Sequence, residues 1–221
     1  MAKGQDRDRT DLIKKSERLE YLSVGWNMSL AIVAGITGIA TGSMVLIAYG
    51  LVSIIGIVMA GMLLLRLRME LQGQKIKETY TWTERRVLFM VGVAFFLLTL
   101  VIMNESGSRL YYHEKPGTST IGLVLSVLSL IGMPILAVIK FRTARILESR
   151  AFRMDARMTA VCAFLALALF LGISLHAWLG WWWADSAAAL LMLPPIVREG
   201  WEAIEASKRA SYESGTTRTS P

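Results

Sequence analysis

This chain is poor in the residues from which soluble catalytic and metal-binding sites are usually assembled. It has one cysteine, Cys162, so an intrachain disulfide is excluded. It has two histidines, His113 and His176, far apart in sequence and each read as an interfacial imidazole rather than a ligand. The apolar stretches contain no paired carboxylates for acid–base work, no Ser/His pairing at a plausible depth and no glycine-rich phosphate loop, so an enzyme is not expected. The first 21 residues are charged throughout and lack an apolar core before a cleavage site, which argues against a signal peptide.

What the chain does have is long runs without charge. Of 221 residues 54% are hydrophobic, too many for an ordinary soluble domain of this size. Val24–Leu65 is 42 residues without a charge, Val87–Met103 is 17, Pro116–Ile139 is 24 and Met158–Ala184 is 27. As one helix the first run would measure ~63 Å at 1.5 Å per residue, about twice the hydrocarbon thickness of a bilayer. It must therefore fold back, and Thr41-Gly42-Ser43 is the best turn within it.

The basic residues alternate with these runs. Of 24 Lys and Arg, six lie in 1–21, six in 66–86, six in 140–157 and four in 198–221; only Arg109 and Lys115 lie elsewhere. Basic loops stay on the cytoplasmic side, so the net charge of +7 reads as a topology signal and not as nucleic-acid binding. Both termini are expected to be cytoplasmic, although four Glu accompany the basic residues of the tail. The expectation is an all-α polytopic protein of the cell (inner or plasma) membrane, in contact with the lipid bilayer and not with nucleic acid. Six transmembrane helices are placed near 23–41, 44–65, 86–104, 119–140, 156–178 and 183–200. The last is the weakest, with 12 uncharged residues from Ser186 to Val197 that include Pro194-Pro195. The alternative is five spans plus an interfacial helix. Trp181-Trp182-Trp183 extends the last span as an aromatic belt.

The chain divides into a cytoplasmic amphipathic segment at 1–21, a six-helix domain at 22–207 and a disordered tail at 208–221. Lys14, Lys15, Glu17, Arg18 and Glu20 around Leu19 and Leu22 give the first segment a surface role. Residues 105–118 form the one long outer loop, with Arg109, Tyr111, Tyr112 and His113. In the first span Ala34, Gly38 and Gly42 recur every four residues, a spacing that lets helices approach closely. It suits packing inside one subunit or a seam between two copies, so a homodimer stays open.

Three stretches resemble the transmembrane part of the cation diffusion facilitator (cation efflux) family, six-span exchangers of divalent metal for protons. Gly38–Ser53, GIATGSMVLIAYGLVS, is similar to that family's G-x-x-T-G-S-x-A-L-L-A-D-A-x-H-S between spans one and two. Glu148–Met158, ESRAFRMDARM, resembles its S-R-A-L-x-A-D-A-x-H before span five, and Gly180–Leu191, GWWWADSAAALL, its W-x-x-D-P-x-A-G-L-L at span six. The resemblance covers roughly residues 22–207. It points to the family's short branch, which has neither a cytosolic ferredoxin-like domain after span six nor a His-rich loop between spans four and five.

The resemblance implies a metal site that this chain does not reproduce. In the family, spans two and five each present H/D-x-x-x-D, two ligands one turn apart on one helix face, and four such ligands close a tetrahedral zinc site. The matching positions here are Val52 and Gly56 in span two, and Met158 and Cys162 in span five. The family's Asp just ahead of the span-two pair is Tyr49, whereas its span-five counterpart is retained as Asp155. The weak candidates for a cation ligand are therefore Asp155, Tyr49 and Asn27, with Ser29 and Ser53 and the soft sulfurs of Met158 and Cys162 behind them. Asp155, between Arg153 and Arg157, equally reads as a helix cap or surface ion pair, Asn27 as a bond between helices, and Asp185 as the cap of span six. No cofactor is expected. The transported ion would be Zn2+ or another metal cation. Two functions follow: a cation-efflux-type secondary transporter with a degenerate metal site, or a non-transporting membrane scaffold or modulator that keeps the fold.

Overall fold

A computed structural model describes the backbone of residues 2–71, 78–114, 117, 119–147 and 150–216, with side chains outside 1–12, 70–84, 148–151 and 210–221. Every described secondary-structure element is helical: α1 (Ala2–Thr41), α2 (Met44–Leu71), α3 (Glu78–Tyr112), α4 (Thr120–Ile146), α5 (Arg150–Leu179), α6 (Ala184–Leu191) and α7 (Leu193–Thr216). Within α1 to α5 lie five segments long and apolar enough to cross a membrane: Ile13–Thr41, Met44–Met69, Arg85–Tyr112, Thr120–Ile146 and Phe152–Leu179. Their outward faces carry exposed Ile36, Ile39, Leu97, Leu100, Ile131 and Ile135, an apolar surface suited to lipid rather than water.

The helices pack as antiparallel pairs, α1 with α2, α4 with α5 and α3 with α7, while α5 also lies against α2 and α6. The first pair turns at Gly42. Its φ of +67° is a left-handed conformation that glycine adopts without a Cβ penalty. One turn earlier a Cβ on Gly38 would lie 2.8 Å from the Ile47 amide nitrogen, and Ala34 is fully buried. The stripe of small residues therefore serves α1–α2 packing within one chain.

The stretch expected to form a sixth span is built in two pieces. α6 passes into α7 at Met192, where Pro194 and Pro195 have no N–H to continue the hydrogen-bond ladder. A Cβ on Gly92 of α3 would lie 2.5 Å from Ile204 Cγ1 and 2.9 Å from the Gly200 carbonyl oxygen, so α7 rides directly on α3. α6 also touches α3, and the two pieces together run lengthwise beside it. This last helix belongs to the bundle and does not lie across its end.

Several boundaries differ from those read in the sequence. α3 stays helical to Tyr112, so Arg109 sits in its last turns rather than in a loop, and α7 stays helical to Thr216 where a disordered tail is expected from 208. α1 is continuous from Ala2, and over 13–20 it turns Ile13, Ser16 and Glu20 inward while Lys14, Lys15 and Arg18 stay exposed. Residues 72–77, Lys115, Pro116, Thr118, Glu148, Ser149 and 217–221 lie outside the described residues.

Candidate functional site

Three of the positions that the resemblance assigns to metal ligands lie in one buried apolar cluster, and the fourth faces α1. α2 packs on α5, and Val52, Met158 and Cys162 join the main buried cluster, with exposures of 1%, 4% and 4%. None of them is a carboxylate or an imidazole. A divalent ion must exchange its hydration shell for strong donors, and a valine and a thioether are poor ones. Gly56 faces Asn27 of α1: a Cβ there would lie 3.0 Å from Asn27 Oδ1. Asn27 does not bridge helices; its Nδ2 donates to the Ser23 carbonyl in its own helix at 2.9 Å, and its Oδ1 is buried without a partner. Tyr49 is likewise buried, its hydroxyl turned toward Ser129 of α4 without a completed hydrogen bond. Ser53 Oγ donates to the Tyr49 carbonyl and Ser29 Oγ to that of Gly25, so both are spent within their helices. Among the described residues no three His, Cys, Asp or Glu side chains come together as a metal-binding group.

The strongest charge arrangement lies at one end of the bundle. Lys140 of α4 is 1% exposed, and its Nζ donates to Glu20 Oε2 of α1 at 3.0 Å and to Asp155 Oδ2 of α5. Glu20 is fully buried and Asp155 nearly so. The retained Asp155 thus neither caps its helix nor pairs with Arg153 or Arg157 on the surface. It joins α5 to α4, while Glu20 ties both to α1. Ile13, Leu63, Leu67, Ala144 and Phe152, from the same three helices and α2, form a second buried apolar cluster. Burying each ion costs several kcal/mol, and mutual attraction recovers this only with good geometry and further hydrogen bonds. Lys140 has both carboxylates, whereas Glu20 Oε1 has no partner.

Sequence reasoning missed Lys140 and Glu20 because each ends an apolar run, where charge is ordinary. One signal was available. Ser16, Glu20, Ser23 and Asn27 recur at intervals of four, three and four, a polar stripe on one helix face, and all four are buried.

At the opposite end, Asp185 caps a different helix from the one expected. Its Oδ1 accepts from Ser43 Oγ, and its Oδ2 accepts from the Met44 amide at 2.8 Å and the Val45 amide at 3.5 Å. These are free N–H groups of the first turn of α2. α6 itself begins after Trp183, whose side chain makes no capping bond. Arg109 donates to the Gly42 carbonyl and the Gly117 amide donates to that of Thr41 at 2.7 Å, so three segments hold the α1–α2 turn. His113 packs on Trp182 with ring centroids 4.6 Å apart, and His176 Nδ1 lies 3.3 Å from the Trp181 carbonyl. Neither imidazole enters the bundle interior.

A family model described as the cation efflux transmembrane domain matches residues 21–209. Comparison with curated proteins gives no match. The matched stretch runs through the α1–α2 turn, the α2–α5 contact and the α6–α7 helix, the parts of the structure just described. A transporter-type membrane domain, helical throughout, is what these features make together, and on the strength of that match the chain belongs to the cation efflux family.

Proposed function

We propose that the protein is a secondary transporter of cation-efflux type, of divalent metal/proton exchanger ancestry, whose inherited metal site is degenerate. The observation that carries this reading is the α2–α5 contact, where Val52, Met158 and Cys162 are packed as core and Gly56 is closed off by Asn27. Such a protein binds Zn2+ weakly at these positions. Isothermal titration of the purified protein tests this. Replacing Val52→Asp, Gly56→Asp, Met158→His and Cys162→Asp together restores a four-ligand set and should create zinc binding, once the Asn27 side chain turns aside. Tight zinc binding by the unmodified chain, lost on Asp155→Asn, would overturn the proposal.

The closed α2–α5 contact also favours a second reading, a membrane scaffold or modulator that keeps the fold and moves nothing. Proteoliposome flux with a panel of divalent and monovalent cations separates the two, because the scaffold dissipates no gradient. The proposal places both termini on the cytoplasmic side of the inner or plasma membrane, from the bias of basic residues. Cysteine scanning in a Cys162→Ser background should label positions 106–114 from outside and leave 78–80 protected; the reverse pattern sinks this orientation. The same proposal includes a homodimer. Light scattering at the mass of one chain after gentle extraction would remove it.

A further inference from the structure

We propose that Glu20 and Asp155 form a cation-binding site in which the ammonium of Lys140 is the resident cation. The proposal goes beyond transport and stands whether or not the protein moves an ion.

Three observations support it. The Lys140 ammonium sits between two carboxylates from two other helices, in contact with both, as a small cation would. All three groups are buried, so the pairing is not a solvated surface bridge. The carboxylates also offer more than the ammonium uses. Glu20 Oε1 is fully buried and has no hydrogen-bond partner, and two carboxylates against one ammonium leave a surplus of acceptor oxygen. An oxygen-lined site of this kind suits a hard cation rather than a thiophilic one.

Among the described residues the titratable groups that act on Glu20 are Asp155 and Lys140, and those that act on Lys140 are Asp155 and Glu20. Cys162 lies two turns further along α5 and feels Asp155 and Lys140 only at a distance. Leu63 and Leu67 of α2 are buried and apolar, while Arg68 bonds to Glu17 and Tyr21 at an exposed position. The α2–α5 positions of this chain have lost their donors, yet a buried cation is still held nearby, supplied by the chain itself. A tethered ammonium cannot leave. It blocks the site against free cations at the end of the bundle where α1, α4 and α5 meet.

The test is to remove the tether. Lys140→Met keeps most of the stem volume and frees the carboxylate oxygens, and MnCl2 serves as the probe because Mn2+ is hard and its free form has an electron paramagnetic resonance signal. The full chain, reconstituted in nanodiscs, is titrated as wild type, as Lys140→Met and as Glu20→Gln/Lys140→Met/Asp155→Asn. The expected result is one Mn2+ per Lys140→Met chain, bound at least about tenfold more tightly than by wild type, since no ammonium competes by mass action. The triple variant should bind no more tightly than wild type. A folded Lys140→Met protein that binds Mn2+ no more tightly than wild type overturns the proposal, as does binding that survives in the triple variant. Where Lys140→Met fails to fold without metal, recovery by Mn2+ during purification supports it. Failure with and without Mn2+, while the triple variant folds, counts against it. Zinc binding at the α2–α5 positions is read separately, so either proposal can fail alone.

Discussion

Asp155 and Asp185 are both buried carboxylates, at opposite ends of the bundle, and their surroundings neutralise them differently. Asp185 is met by dipoles: a serine hydroxyl and two amides from the first turn of α2. Asp155 is met by a full charge on a flexible stem, Lys140, which it shares with Glu20. A helix N-terminus is fixed by the backbone that makes it, so the Asp185 end is a joint between α1–α2 and α6 with one geometry. A lysine stem has four rotatable carbons, so the Asp155 end is held by a tethered side chain and not by a backbone terminus. By contrast Val52, Gly56, Met158 and Cys162, the positions that the resemblance assigns to metal ligands, carry no charged side chain.

The comparison breaks first at Asp155. Asp155→Ala removes one partner of a buried ion pair and should destabilise the protein by about 3–5 kcal/mol, read by thermal or denaturant unfolding in mild detergent. A loss below about 1 kcal/mol, the range of exposed pairs, would mean that the junction is solvated. Asp185→Ala should cost less, roughly 1.5–3 kcal/mol, the range for hydrogen bonds to a charged group, because no buried counter-ion is stranded. Equal losses at the two sites would erase the distinction drawn here. The smallest effect sharpens the picture of how the ends are connected. Gly92→Ala should cost about 1–3 kcal/mol by overpacking α3 against α7. Gly61→Ala, with nothing within 4 Å of its added carbon, should stay within about 0.5 kcal/mol of wild type. If Gly92→Ala is equally silent, α7 does not ride on α3.

Much of the architecture was legible in the residues. The 42-residue uncharged run had to fold back, and it does so at the glycine read as its turn. The apolar runs marked five of the helices, and the three short motifs pointed to the family that the matched model gives. The junction of Glu20, Lys140 and Asp155 was not legible, because Lys140 and Glu20 lie 120 residues apart and each stood where a terminal charge is ordinary. Asp185 misled for a related reason. An acid at the start of a helix reads as that helix's cap, and nothing local says that its oxygens turn to another helix 140 or more residues away.

That Val52, Gly56, Met158 and Cys162 stand at ligand positions is what the family resemblance implies. The sequence by itself determined which stretches are helices for a bilayer and where the first pair turns. These follow from composition and spacing along the chain, which hydrophobicity and backbone sterics read locally. Only the tertiary structure decided which charges are buried and with whom, and that α7 lies along α3. A buried charge is tolerable only opposite its partner, and three helices bring Glu20, Lys140 and Asp155 together from positions that no local pattern relates.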